Sequence, residues 1–320
     1  MSEFELIQRY FSKRQSPVAC VALGIGDDCA LMAAKGGTQV AISTDMLVEG
    51  RHFFAGADAR MLGHKSLAVN LSDLAAMGAT PRAFTLALAL PHVQPVWLND
   101  FSEGLFELAS QHGCQLIGGD TTKGPLNICI TVFGEIPEGQ ALRRDAAQPG
   151  DDIWVSGTLG DARLALACYS DQLILSRQDL QLSAARLHTP TPRIALGTAL
   201  RQIAHAAIDI SDGLIGDLAH IFALSKVGAT LWCDALPFGE ILAKQNRATQ
   251  YEFALSGGDD YELCFTAPRA HRSAVLEAGK RSKTHLTRIG YIESQPGCRI
   301  VDASNKLQNF AFKSFDHFQS

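Results

Sequence analysis

The chain has no pair of cysteines in a CxxC spacing, although it carries eight, at positions 20, 29, 114, 129, 168, 233, 264 and 298. Its ten histidines show no ligand spacing with them, which argues against a zinc centre. Most of the cysteines sit in apolar stretches, as Cys129 does in NICITVF, and read as small buried hydrophobes of a reducing cytoplasm. Long apolar runs are missing as well. The longest, Ala83 to Pro91, is about half of what a bilayer crossing needs, so no membrane span is expected. The first residues lack an apolar h-region, and Leu6, Ile7, Tyr10 and Phe11 fall at helical spacing instead of reading as a signal peptide. There is no excess of positive charge. The net charge is -5, which argues against a nucleic-acid partner. Low-complexity tracts and long linkers are absent. With 47% hydrophobic and 19% charged residues the chain can bury a core, and disorder is excluded as its main state.

Its 320 residues suit two domains of ordinary size. Strands are expected over 39–43, 84–90, 127–133, 152–156, 206–210, 230–233 and 263–266. Helices are expected over 59–77, 97–112, 161–170, 193–205 and 213–225. The alternation reads as a mixed α/β fold. The segment Gly134 to Asp152 is rich in glycine, proline and charge and is the best boundary. It divides the chain into residues 1–140 and 141–320.

The informative feature is where the aspartates stand. They occur as Gly26-Asp27-Asp28, Ser43-Thr44-Asp45, Gly118-Gly119-Asp120-Thr121-Thr122, Asp209-Ile210-Ser211-Asp212-Gly213 and Gly257-Gly258-Asp259-Asp260. Asp73 is a sixth, on a helix face shared with Ser66 and Asn70, beside an apolar stripe of Leu67, Leu71 and Leu74. One Gly-Asp is ordinarily a turn, and Asp212 before Gly213 is equally suited to a helix N-cap. Six such clusters at strand ends ask for more, because carboxylates gathered in one crevice repel each other and need a cation. Oxygen donors without His or Cys select a hard ion, Mg2+ before Ca2+ or Zn2+, and Mg2+ on few carboxylates commonly also holds phosphate. Asp73→Ala is then expected to stabilise the metal-free protein by relieving repulsion.

Common nucleotide signatures are absent. No GxxxxGK[ST] occurs, there is no HRD or DFG, and GIGDDC lacks the third glycine of a dinucleotide fingerprint. Ser156-Gly157-Thr158-Leu159-Gly160 reads as a tight turn, or as backbone N–H groups offered to a phosphate.

Taken in order, Gly24-Ile25-Gly26-Asp27-Asp28, Ser43 to Phe53, Asn70 to Ala79, Gly118 to Thr121, Asp209 to Leu214 and Ser256 to Leu263 resemble the thiamine-monophosphate kinase family. The similarity runs from about residue 3 to Phe315-Asp316-His317-Phe318. It departs at Asp259, where the family more often has Glu. The resemblance implies ATP-dependent phosphorylation of thiamine phosphate to thiamine diphosphate in the cytoplasm. It also implies the two-domain fold of the aminoimidazole ribonucleotide synthetase superfamily. There residues 1–140 form a Mg-ATP-binding and dimerisation domain whose sheet pairs across a homodimer. Residues 141–320 form an α/β domain that completes the substrate site. By the same resemblance, several Mg2+ ions fall to Asp28, Ser43, Thr44, Asp45, Asp73, Asp120, Asp209 and Asp212. ATP falls to Gly119, Asp120, Arg144 and Ser211, and the substrate to His52, Asp259 and Phe315. In this scheme Asp45 and Asp120 hold Mg2+ against the ATP phosphates, and no residue is an acid or base. Two other members of the superfamily fit less well. A selenophosphate synthetase would carry a reactive N-terminal cysteine followed by lysine, and a hydrogenase-maturation ATPase a C-terminal cysteine. A non-catalytic nucleotide-binding protein would lack some of these acids.

Overall fold

The computed structural model describes residues 7–12, 17–23, 31–32 and 35–310. Two compact units are present, residues 1–74 with 79–139 and residues 75–78 with 140–320. A single π-helical turn spans Ile7–Ser12, and two short strands, β1 (Val21–Leu23) and β2 (Leu31–Met32), pair antiparallel.

The first unit is built on four strands: β3 (Thr38–Val48), β4 (Thr80–Leu90), β5 (Gln115–Lys123) and β6 (Asn127–Pro137). They lie in the order β3-β6-β4-β5, with β4 and β5 parallel and the other pairs antiparallel. Helix α1 (Ala59–Ala76) follows β3, and α2 (Pro95–Gln111) joins β4 to β5. Pro95 opens α2 at a position where its missing N–H costs nothing. The helices cross with no room for side chains. A Cβ on Gly63 would lie 2.0 Å from Phe101 O, and one on Gly104 would lie 1.9 Å from Arg60 O. Leu67, Leu71 and Leu74 are buried as the apolar stripe of α1 predicts. They share the interior with Leu98, Phe101 and Leu105 of α2 and with Phe84, Leu86, Ile128, Ile130 and Val132 of the sheet.

Among the described residues, only one face of this sheet is covered. On the other face of β3, Val40 is exposed at 45%, Ile42 at 62% and Met46 at 53%. Cys129, Thr131 and Phe133 of β6, half-buried, lie opposite Met46, Thr44 and Ile42 on that same face.

The second unit carries six strands: β7 (Asp152–Ser156), β8 (Ala206–Asp209), β9 (Gly228–Trp232), β10 (Leu263–Ala267), β11 (Leu286–Glu293) and β12 (Gly297–Val301). Their order is β12-β9-β11-β7-β10-β8, antiparallel except for β9 with β12. Six helices accompany them: α3 (Asp161–Tyr169), α4 (Arg177–His188), α5 (Ile194–Ala199), α6 (Leu214–Ser225), α7 (Arg247–Ser256) and α8 (Arg272–Arg281). Ile153, Val155, Ile208, Leu214, Leu218, Ile221 and Cys264 belong to one buried cluster.

Two expectations need correction. The helix expected over 193–205 ends at Ala199, because the chain turns through Gln202 at φ 62°. The acids were expected at strand ends that converge on one crevice. Asp45 instead stands inside β3, which stays paired with β6 as far as Val48.

Candidate active site

In the first unit the side chains of β3 sort by face. Ser43 and Asp45 point to the covered face, in register through Val132 and Ile130 with the buried Phe84 and Leu86. Helix α1 meets them there. Asn70 Oδ1 accepts the Asp45 N–H at 3.0 Å, and Ser43 Oγ donates to Asp73 Oδ2. Asn70 is itself fixed, its Nδ2 donating to Ser66 O at 3.0 Å. The helix face of Ser66, Asn70 and Asp73 therefore turns to the strand and not to solvent, and it gathers Ser43, Asp45 and Asp73. His52 closes the loop after β3. Its Nδ1 accepts the Val48 N–H at 3.0 Å, so the neutral ring carries its proton on Nε2.

Thr44 and Asp120 belong to the other face. Thr44 Oγ1 lies 2.8 Å from Thr131 Oγ1 across the strand pair. Asp120 is exposed and in register with Ala87, one residue out of step with the inward Leu86. The β4–β5 ladder is irregular shortly before it, where Ile117 is passed over between the pairs Phe84–Leu116 and Thr85–Gly118. Gly119 has φ 149°, and a Cβ there would lie 1.9 Å from Leu86 O.

This placement bears on the metal site that the resemblance implies. Asp45 is on β3 and Asp120 on β5, the two edges of the sheet. Three strand spacings of about 4.8 Å put roughly 14 Å between them. Mg2+ binds oxygen at about 2.1 Å, so no one ion in a single chain touches both. Among the described residues, no three His, Cys, Asp or Glu side chains surround one point as metal ligands would.

In the second unit two loops are laced together. Asp209 ends β8 and is buried. The turn that follows passes through Ser211 and Asp212 into α6. The other loop is 257–262. Asp259 N–H donates to Ser211 O at 2.8 Å, Tyr261 N–H to Ile210 O at 2.8 Å, and Ile210 N–H to Glu262 O at 2.8 Å. Asp209, Ser211, Asp212 and Asp259 thus occupy one neighbourhood. Asp217 supports it from α6, its Oδ2 accepting the N–H groups of Asp212 at 3.2 Å and Gly213 at 3.1 Å. Burial, and then the Asp212 charge, push the Asp217 carboxyl up to about 7 despite those donors. Arg144 stands apart from this set on an exposed loop, where its carbonyl accepts from Ser225 Oγ at 2.8 Å.

The comparisons with known proteins fit this layout. Residues 26–136 match the N-terminal domain of AIR synthase related proteins, and residues 148–303 match the C-terminal domain. The chain is 47% identical to the thiamine-monophosphate kinase of Salmonella typhimurium, over 99% of this chain and 98% of that one. It is 45% identical to that of Escherichia coli K12 over the same shares. The chain belongs to the thiamine-monophosphate kinase family. A crystal structure of the kinase from Stenotrophomonas maltophilia, 47% identical, superposes with a TM-score of 0.84 over 88% of this chain and 91% of that one. AaThiL, solved in complex with AMPPCP and TMP, is 26% identical, with a TM-score of 0.78 over 99% of this chain and 97% of that one. The hydrogenase maturation protein HypE in complex with ATP, 21% identical, shares the fold at a TM-score of 0.77.

Two residues given a role by resemblance to this kinase family, Asp28 and Phe315, lie outside the described residues. The structure also adds charged residues that reading the kinase motifs overlooked. Glu262 is fully buried against Arg186 and Arg193, and Asp260 is buried against the start of α3. Burial, opposed by Arg186 and the Gly160 N–H, pushes the Asp260 carboxyl well above the usual carboxylate range. The sequence held one signal for them, an acid placed directly before the apolar strand Leu263–Ala267.

Proposed function

We propose that the sites of both units serve one reaction, transfer of the γ-phosphoryl group of ATP to thiamine monophosphate, giving thiamine diphosphate and ADP for thiamine biosynthesis. The observation that carries it is the 47% identity to a thiamine-monophosphate kinase along the whole chain. The acceptor is a phosphate monoester with a second pKa near 6, so its oxygen is largely ionised at neutral pH and needs no general base. The remaining barrier is charge repulsion and alignment. Transfer is direct and in line, with no phosphoenzyme.

The donor set fits Mg2+. It consists of carboxylate and hydroxyl oxygens, and the contact of Ser43 with Asp73 on a half-buried face joins one of each. Asp28, Ser43, Thr44, Asp45, Asp73, Asp120, Asp209 and Asp212 would hold several ions. Bound there, Mg2+ offsets the charge of donor and acceptor phosphates. Gly119, Asp120, Arg144 and Ser211 are assigned to ATP. Gly119 leaves backbone without a side chain where a phosphate can approach. His52 offers its Nε2–H to the acceptor phosphate, Asp259 complements the cationic thiazolium, and Phe315 stacks on the rings.

A homodimer is part of the same reading. The apolar residues Val40, Ile42 and Met46 face outward. A second copy lying on this face, with its β5 edge beside β3, covers them and brings its own Asp120 beside the strand that carries Thr44 and Asp45. A cytoplasmic location completes the reading. Coupled measurement of ADP release, with and without thiamine monophosphate, tests the activity. Release that depends on thiamine monophosphate and yields thiamine diphosphate is expected. ADP release that ignores it, or no release, would refute the assignment.

A further inference from the structure

The loop 257–262 alternates between two environments. Asp260 and Glu262 turn inward and are buried at 1% and 0% exposure. Asp259 and Tyr261 have positive φ, 65° and 49°. Side chains with a Cβ rarely adopt that backbone, and it persists only where the surroundings over-determine it. Here the surroundings are explicit. Glu262 Oε2 accepts from Ser156 Oγ at 2.5 Å and from Arg193 Nε at 2.6 Å. Its Oε1 accepts from Arg186 Nη2 at 2.5 Å and from Arg193 Nη2. Ser156 Oγ in turn accepts the Leu263 N–H at 2.8 Å. Both Asp260 oxygens accept the Gly160 N–H, at 2.9 and 3.1 Å, and Arg186 Nη2 donates to Asp260 O at 3.2 Å. The buried acids therefore clamp the loop on both sides of Tyr261. The outward residues follow from that clamp. Their amides reach Ser211 O and Ile210 O, and Tyr261 Oη donates to Asp259 Oδ1 at 3.3 Å.

We propose that Asp260 and Glu262, clasped by Arg186 and Arg193, are positioning residues that fix where the Asp259 carboxylate meets the acceptor substrate. The inference rests on the reading of Asp259 as a thiamine-monophosphate contact. Asp259 has a shorter reach than the glutamate more usual in the family, so its placement depends more on the backbone beneath it. The clasp supplies that placement from the interior. Arg193 grips both carboxylate oxygens of Glu262, and such a two-point grip fixes direction as well as distance.

The test is a double-mutant cycle in the full-length protein, read in the KM values of both substrates. Asp259→Asn should raise the KM for thiamine monophosphate about tenfold or more. Glu262→Gln, which keeps the shape and removes the charge, should raise the same KM about tenfold while the KM for ATP stays within twofold. In the Asp259→Asn background, Glu262→Gln should add less than twofold, because its target is already gone. Independent, multiplicative effects would overturn the positioning role and leave the reading of Asp259 standing. An equal rise in both KM values would show a merely structural role and overturn it too. An unchanged KM in Asp259→Asn would sink the reading of Asp259, and the inference with it. Arg193→Lys, which keeps a positive charge and loses the two-point grip, serves in the same cycle if Glu262→Gln does not fold. Amide exchange of the wild-type protein without substrate, followed by NMR, needs no variant. The Asp259 and Tyr261 amides should exchange at least a hundredfold slower than in an open loop, and rapid exchange would overturn the proposal.

Discussion

Asp73→Ala separates two effects that a count of aspartates runs together. Repulsion between carboxylates alone says that the substitution stabilises the ligand-free protein. The structure reverses that sign, because Ser43 Oγ donates to Asp73 Oδ2. Losing a hydrogen bond to a charged acceptor costs about 1.5–3 kcal/mol, and Asp73 is only half-buried, so the low end applies. A domain of ordinary size loses roughly 2–4 °C of melting temperature per kcal/mol. Ligand-free Asp73→Ala should then melt about 3–6 °C below the wild type. Mg-ATP adds the second effect. At a hundred times its dissociation constant a ligand stabilises by about 2.7 kcal/mol. A hundredfold loss of affinity, expected for a lost metal ligand, leaves about 0.4 kcal/mol at the same concentration. Scanning calorimetry of both proteins, with and without Mg-ATP, gives all four melting temperatures. A higher ligand-free melting temperature in the variant would refute the hydrogen-bond argument. An undiminished rise with Mg-ATP would refute the metal role of this helix face.

Other perturbations probe other parts. Gly119→Ala should cost more than about 3 kcal/mol, since φ 149° is strained for alanine and its Cβ would meet Leu86 O at 1.9 Å; a denaturation midpoint equal to the wild type would disprove this close approach. Ile42→Asp, at a site 62% exposed in one chain, should give a folded but inactive monomer by sedimentation; an unaltered dimer would move the interface elsewhere. Burial opposes ionisation of Asp152, yet Arg272 and Arg288 outweigh it and hold its carboxyl below the ordinary 3.8. Its pairing thus stabilises the folded state above about pH 4 and is lost as pH falls through the lowered folded value. The stability gap between wild type and Arg272→Met should be constant from pH 8 to 5 and close below pH 4; urea titrations showing a gap that widens in acid would contradict this.

What the sequence discloses of this molecule follows from which forces act locally. The alternation in Phe84 to Leu90 announces a strand, and the spacing of Leu67, Leu71 and Leu74 announces α1, although that helix is buried on every side from Lys65 to Ser72. Helices α4 and α7 escape that test, since Arg177–His188 and Arg247–Ser256 bury few apolar side chains. Their signals are caps instead: Ser176 Oγ accepts the Asp179 N–H and Asn246 Oδ1 the Thr249 N–H. Strand β3 is longer than its apolar letters suggest because β6 pairs with its polar Thr44 and Asp45 as readily as with its valines.

The acids show the same limit at the level of function. Asp259, Asp260 and Glu262 lie within four residues and carry the same charge, and only the register of the loop decides which face inward. Asp45 and Asp120 look like equal members of one metal site, and only strand order reveals that they occupy opposite edges. A site assembled from motifs therefore names its ligands before it can say which of them meet. That division separates the two kinds of aspartate in this protein. Those with a hydrogen-bonded seat, such as Asp73 and Asp260, have a position that one chain determines. Asp120 sits exposed on an edge strand, and its place relative to Asp45 is set by strand order and not by the motif that carries it.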